Sequence, residues 1–514
     1  MKHATCLSFL GTGSDVGKSF VVAGICRALK NRGFSVAPFK AQNMSNNSFV
    51  TLDGLEMGRA QVVQAEASGI EPEVDMNPVL LKPSGDCRSQ VVLQGKVVGS
   101  RHAKDYYKQT DALFAKAMES LNRLRERHDV IVMEGAGSCS EVNLRSRDIV
   151  NFRPAHETDA PVILIADIDR GGVFAQIVGT LEVIPPEDRA RIAGILINRF
   201  RGDISLFEDG VRWIEERTGL PVLGVISYNR EILIDSEDGM DVQTQINPSG
   251  ALDPDKINIA TILFPRISNH TDLAALQCEP GVEVHFLTRP KSLVGYDLLI
   301  LPGSKNVRSD LEWMRKNGWE ERINAFAQSG GSIGGICGGY QMMGQSIQDP
   351  HGVEGSPGAE SGLGLLPTET VLAPEKRLTR NHGTWIGNRR PVHGYEIHMG
   401  RTRSSSEELR PAIAWSAESA TAEANSDGLS TPDGKIWGTY LHGLFDSGPF
   451  RQEFLSNLRP DWQPPAQQNP LHLAPGEDFE NFKARQYDRL GDHIEKCIDV
   501  EKLIAIGKLH CEIC

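Results

Sequence analysis

The 514-residue chain contains no apolar run of the roughly 18–20 residues that a membrane span requires, so no membrane association is expected. It also lacks a basic excess. Its 54 Lys and Arg face 67 Asp and Glu, and the net charge of −13 is spread along the chain. That balance excludes general nucleic-acid binding, which needs a cationic footprint. No disulfide framework is visible either. The nine cysteines, at positions 6, 26, 87, 139, 278, 337, 497, 511 and 514, are scattered and odd in number, as reduced thiols are. Cys511 and Cys514 form one C-x-x-C without the two further ligands a zinc site needs, and read as incidental. The N-terminus leads straight into a glycine-rich loop with no room for a cleavable signal, so a cytoplasmic location is expected.

What is present is the composition of a globular protein, 40% apolar and 24% charged, on a chain long enough for two or three cores. Short apolar runs at 5–11, 34–39, 130–133, 161–166 and 192–197 alternate with helix-length segments, which predicts a parallel sheet covered on both faces. A second such series begins at Ile257, with strands expected at 257–263, 282–287, 297–301 and 331–336. The fold class is therefore α/β, in two domains with mostly parallel sheets. The expected division is 1–235 for the first domain, 236–256 for a polar linker, 257–448 for the second domain and 449–514 for a largely helical extension broken at Pro464–Pro465. The Ser-, Ala- and Glu-rich stretch from Arg401 to Asp433 reads as weakly structured.

Gly11-Thr12-Gly13-Ser-Asp-Val-Gly17-Lys18-Ser19 follows the first strand and opens a helix, as phosphate-binding loops do. Its backbone N–H groups would cradle the phosphates of ATP, Lys18 would reach the β/γ oxygens, and Ser19 would ligate Mg²⁺. Thr12 stands where the standard loop has its first glycine, flanked by Gly11 and Gly13, so the match is to a variant. Glu134 ends a buried strand beside this loop and is a metal candidate. Asp53 is a further one. Lys40, Asn43, Lys82 and Asp148 are candidates for substrate contact.

Cys337 lies in Gly-Gly-Ile-Cys-Gly-Gly-Tyr, where a strand runs into a sharp turn. Glycines on both sides permit a strained elbow and let substrate approach the sulfur. A buried structural cysteine, the commonest role of a free thiol, fits four flanking glycines poorly. His442, in Gly-Thr-Tyr-Leu-His-Gly-Leu-Phe, is the expected partner of a thiolate nucleophile. Backbone N–H groups near Gly303 and Gly338 would form an oxyanion hole. Asn269 and Asp272 read either as domain-interface residues or as a helix cap.

The Cys337 elbow with His442 resembles class I glutamine amidotransferase domains. The loop and the Glu134-Gly-Ala-Gly strand end resemble the dethiobiotin-synthetase-like P-loop family. Fused in this order, the two resemble the cobyrinate amidases of cobalamin synthesis. Phe39-Lys-Ala-Gln-Asn-Met-Ser-Asn-Asn-Ser48, Met76-Asn-Pro-Val-Leu-Leu-Lys-Pro83 and Tyr395-Glu-Ile-His-Met-Gly-Arg401 are similar to the branch that completes the amidation of the corrin ring. That resemblance implies amidation of the b, d, e and g carboxylates of adenosylcobyrinic acid a,c-diamide through acyl phosphates. It implies glutamine as nitrogen donor, ATP and Mg²⁺ as cofactors and a corrinoid acceptor, and it leaves a homo-oligomeric state open. The rival readings are a synthase of the a,c-diamide itself, a CTP-synthetase-like ligase, and a P-loop ATPase with a non-catalytic binding module. Many triad amidotransferases carry a glutamate two residues after the histidine. Leu444 stands there, and in lacking the glutamate the chain resembles the cobyrinate amidases, so either Cys337 and His442 act as a dyad or another group orients the ring.

Overall fold

The structure, a computed structural model, describes residues 3–85, 88–102, 106, 108–235, 251–420, 425–463 and 469–509. Two compact units result. The first comprises Met1–Ser45, Glu56–Ile234 and Lys483–Cys514; the second comprises Asn46–Leu55 and Asp235–Phe482.

In the first unit, six parallel strands lie in the order Val222–Ser227, Ile192–Phe200, Val162–Asp167, Thr5–Gly11, Val130–Glu134, Val36–Phe39. Their near-continuous apolar runs are buried, as expected for a sheet covered on both faces: Leu7, Phe9, Ile131, Val132, Ile163 and Leu196 are fully enclosed. The central strand Thr5–Gly11 pairs on one side with Val162–Asp167 and on the other with Val130–Glu134, setting Phe9 opposite Glu134. The glycine loop and Glu134 thus emerge together at the carboxyl ends of adjacent strands, the usual ligand position in such sheets. A smaller four-stranded sheet, Gln42–Met44, Val79–Gly85, Arg88–Leu93 and Lys96–His102, was not anticipated.

The second unit begins as expected. Val282–Leu287, Ile257–Ile262, Leu298–Leu301, Ser332–Ile336 and Ile436–Thr439 form the parallel part of its sheet. An antiparallel part continues it through Ser426–Ser430, Arg410–Trp415 and the long strand Thr368–Trp385, which also pairs with Pro391–Ser404.

Two expectations are corrected. The described part of the 401–433 stretch is not weakly structured. Its polar composition conceals short strands that bury Ala412, Ile413 and Trp415 against the core. The C-terminal extension is largely helical, with helices Gly448–Leu458, Phe479–Cys497 and Val500–Gly507, but it is divided between the units. Leu490, Ile494 and Leu503 complete the apolar core of the first unit, which is the physical reason the chain returns there. Residues 236–250 of the expected linker, Pro464, Pro465, Cys87, Cys511 and Cys514 lie outside the described residues.

Candidate active sites

In the first unit the loop closes between Gly11 and the helix Lys18–Asn31. Gly17 has φ 84°, a conformation favouring glycine, and a Cβ there would stand 2.3 Å from the Asn198 amide nitrogen. Asn198 Nδ2 donates to Val16 O at 2.8 Å and ties the loop to the neighbouring strand. Thr12 donates from its backbone N–H to Ile165 O at 2.9 Å and from Oγ1 to Gln176 Oε1 at 3.4 Å. Lys18 Nζ arches over the loop, donating to Gly137 O at 2.8 Å and Gly13 O at 3.4 Å.

Glu134 is the hub of this region. Its Oε1 accepts from Ser19 Oγ and from Lys40 Nζ, each at 2.9 Å, and its Oε2 accepts from Gln64 Nε2. Burial alone would raise its pKa. The Lys40 and Lys18 ammonium groups and the Gln64 hydrogen bond outweigh burial and hold the carboxyl below its ordinary value. Ser19 Oγ and the Glu134 carboxylate are hard oxygen donors of the type Mg²⁺ prefers, so the donor set fits that ion. No group of three or more His, Cys, Asp or Glu able to hold a metal occurs among the described residues. Nucleotide phosphates and water would have to complete the coordination.

The remaining first-unit candidates have definite partners. Lys82 Nζ forms a buried ion pair with Glu56 at 2.8 Å. Asn43 Nδ2 donates to Gln61 Oε1 at 3.3 Å. Asp148 caps a turn, accepting from the backbone N–H of Val150 at 2.7 Å and from Asn151 Nδ2 at 2.6 Å; Asn151 in turn donates to Ala136 O at 3.1 Å. Asp53 is exposed, belongs to the second unit, and accepts from Thr51 Oγ1 at 2.5 Å. Gln64, on the helix Arg59–Ser68, was missed because one glutamine in a helical pattern carries no motif.

In the second unit the strand Ser332–Ile336 ends directly on Cys337, whose φ of 53° and ψ of −107° are those of a strained elbow. The Cys337 N–H donates to Thr439 O at 2.8 Å, fixing the turn to the strand that leads to His442. A Cβ on Gly338 would lie 2.7 Å from the backbone nitrogen of Ser304, so only glycine lets the elbow approach the Gly303–Ser304 strand. That strand pairs with Ile267–Ser268, which delivers Asn269 and Asp272 to the same place.

His442 is fully enclosed. Its Nδ1 lies 2.7 Å from Asp272 Oδ2, and Asp272 Oδ1 accepts from the Gly443 N–H at 3.0 Å. Asp272 thus places a carboxylate against the ring nitrogen, where Leu444 offers none. The Cys337 side chain lies close enough to the ring to influence its charge. Burial disfavours the imidazolium, but the Asp272 carboxylate and the Cys337 contact outweigh it and raise the histidine to about 10. The pair lies 170 positions apart, so no local spacing could have joined them. The Cys337 sulfur lies 3.7 Å from Ile397 O, on the Pro391–Ser404 strand, whose Tyr395 pairs in register with His442.

Comparison with known proteins adds to these geometries. Residues 7–242 match the CobQ/CobB/MinD/ParA nucleotide binding domain, and 258–450 match the CobB/CobQ-like glutamine amidotransferase domain. A cobyric acid synthase of Chlorobium phaeobacteroides strain BS1 is 53% identical over 500 residues, covering 97% of this chain and 98% of the relative. One from Chlorobaculum tepidum is 52% identical, covering 98% of each chain, and one from Syntrophobacter fumaroxidans is 44% identical, again with 98% of each. The chain belongs to the cobyric acid synthase family. As a member it is a glutamine-dependent, ATP-using amidoligase of cobalamin biosynthesis. No helix among the described residues is long and apolar enough to cross a membrane.

Proposed function

We propose that the chain amidates the b, d, e and g carboxylates of adenosylcobyrinic acid a,c-diamide, using ATP and glutamine. The observation that carries the reading is the line Cys337–His442–Asp272 behind a strained elbow, in a chain that also presents Lys18, Ser19, Lys40 and Glu134 around one phosphate-binding loop. A module that only binds would have no need of a buried histidine held charged against a cysteine.

Cys337 is the nucleophile of this reading, and cationic His442 is the proton carrier beside it. The thiolate attacks the glutamine amide carbon, and the developing oxyanion faces the backbone N–H groups near Gly303 and Gly338. His442 passes its proton to the departing nitrogen, releasing ammonia and leaving a glutamyl thioester. The neutral imidazole then takes a proton from water, whose attack frees glutamate and restores the thiol site. Asp272 keeps the ring in orientation and stabilises its positive charge throughout.

In the first unit a substrate carboxylate attacks the γ-phosphorus of ATP, giving an acyl phosphate and ADP. This activation is needed because oxide is a poor leaving group from a carboxylate. Lys18 and the loop N–H groups stabilise charge on the transferred phosphoryl group. Ser19 and Glu134 would hold Mg²⁺, which when bound neutralises phosphate charge. Ammonia then attacks the acyl carbon and phosphate leaves. Lys40 fixes the Glu134 carboxylate, while Asn43, Lys82 and Asp148 remain candidates for contact with the acceptor.

Mass spectrometry of products from adenosylcobyrinic acid a,c-diamide, Mg-ATP and glutamine tests this reading. Stepwise gain of four amides is expected. Glutamine hydrolysis without corrinoid conversion would refute the acceptor and turn attention to cobyrinic acid.

A further inference from the structure

The ten residues Asn46–Leu55 belong to the second unit although the sequence on either side belongs to the first. Within the second unit, Asn47–Phe49 touches both groups that flank the His442 ring. Asn47 Oδ1 accepts from the Asn269 backbone N–H at 2.8 Å, and the Ser48 backbone N–H donates to Asn269 Oδ1 at 3.0 Å. Asn269 is thereby held with φ 51° and ψ 41°, and its Nδ2 stands 3.5 Å from His442 Nε2. On another side Tyr395 stacks on the imidazole, ring centroids 5.2 Å apart and planes 21° from parallel. Tyr395 Oη donates to Ser48 O at 3.2 Å, and Phe49 packs edge-on against the tyrosine ring at 5.0 Å. Arg380 Nε anchors the segment by donating to Val50 O at 2.9 Å.

These contacts have a chemical consequence. Because the Ser48 N–H requires an acceptor, the Asn269 amide must present its oxygen to Ser48 and its NH₂ to His442. An NH₂ beside Nε2 offers the Nε2 hydrogen no acceptor on that side, so of the two groups next to this nitrogen only the Cys337 side chain can exchange a proton with it. Tyr395 stops the ring from tilting away. Resting on the glutaminase reading above, we infer that Asn47, Ser48 and Phe49 form a positioning element of the thiol site, setting the direction of His442 proton transfer through Asn269 and Tyr395. The run Phe39–Ser48 accordingly serves both units, with Lys40 on Glu134 in the first and Asn47 on Asn269 in the second.

The test measures glutamine hydrolysis by the full chain, alongside ammonia-dependent synthesis as a check of folding. Asn47→Ala is expected to lower kcat about tenfold with the KM for glutamine within about twofold, because the ring is misaimed while the substrate pocket is kept. Asn47→Asp retains the acceptor oxygen and is expected to restore most of kcat. Tyr395→Phe, which keeps the stacked ring but loses the hydroxyl, is expected to lower kcat about threefold. Unchanged kcat in both Asn47→Ala and Tyr395→Phe, or a rise in KM at constant kcat, would overturn the inference. Cys337→Ala run in parallel separates the two levels. Its loss of hydrolysis beside a normal Asn47→Ala refutes only the positioning element, whereas its retention of hydrolysis refutes the glutaminase reading as well.

Discussion

Glu134 in the first unit and His442 in the second are both enclosed ionisable groups, each held charged by a neighbour of opposite sign: Lys40 at 2.9 Å and Asp272 at 2.7 Å. Burial opposes both charges, and in both the partner wins. The outcomes differ in use. The Glu134 carboxylate also accepts from Ser19 and Gln64, so it is a fixed negative charge beside the phosphate loop. On the proposed reading His442, with Cys337 beside it, is a proton store. The same physical device, a desolvated ion pair, would on the proposed reading serve electrostatics in one unit and proton transfer in the other.

The sharpest way to break this comparison is to remove one charge from each site. Lys18→Ala is expected to reduce amide synthesis by about 10³-fold with either glutamine or ammonia, since a preorganised charge on the transferred phosphoryl group is lost. Glutamine hydrolysis by the same variant is expected to persist. Normal synthesis would show that the loop is not where ATP reacts. Asp272→Asn is expected to reduce glutamine hydrolysis by about 10²-fold and to leave ammonia-dependent synthesis in place. An unaffected rate would leave Cys337 and His442 as a dyad.

Lys40→Met addresses stability in the first unit. It strands the Glu134 charge with fewer cations, and a loss of about 3–5 kcal/mol is expected in chemical denaturation of the first unit. A midpoint equal to that of the parent chain would mean Lys40 contributes nothing net to the pair.

The smallest effect is a shift in pH profile. His442 lies above its ordinary value of 6.5, at about 10, so the imidazolium is present at neutral pH and is lost as pH rises through about 10. Glutamine hydrolysis should therefore hold up well into the alkaline range and fall near pH 10. In Asp272→Asn, which removes the main raising influence, that limb should move to lower pH. A limb near 6.5 in the parent chain would contradict the charged-histidine account.

The two regions also differ in how much of them the amino-acid order discloses. The phosphate loop is read from contiguous residues, because strand, turn and helix N-terminus are consecutive there; Glu134 follows from the same logic one strand over. The Cys337 elbow is local for the same reason. The orientation of His442 is not. Asp272 arrives through pairing of the two-residue strand Ile267–Ser268 with Gly303–Ser304, a tertiary event without a sequence period. The parallel strands were legible as apolar runs. The short strands Arg410–Trp415 and Ser426–Ser430 were not, because one face is polar and alternation over five or six residues is easily lost among Ser and Ala. The transfer of Asn46–Leu55 to the second unit is likewise invisible, since nothing in the composition marks a boundary there.

The central claim is that ammonia is made at one site and consumed at another. The most direct measurement is amide formation by Cys337→Ala with glutamine and, separately, with ammonium at alkaline pH. The account predicts no product with glutamine and near-parental product with ammonium. Loss of both activities in a folded variant, or retention of the glutamine-dependent one, would contradict it.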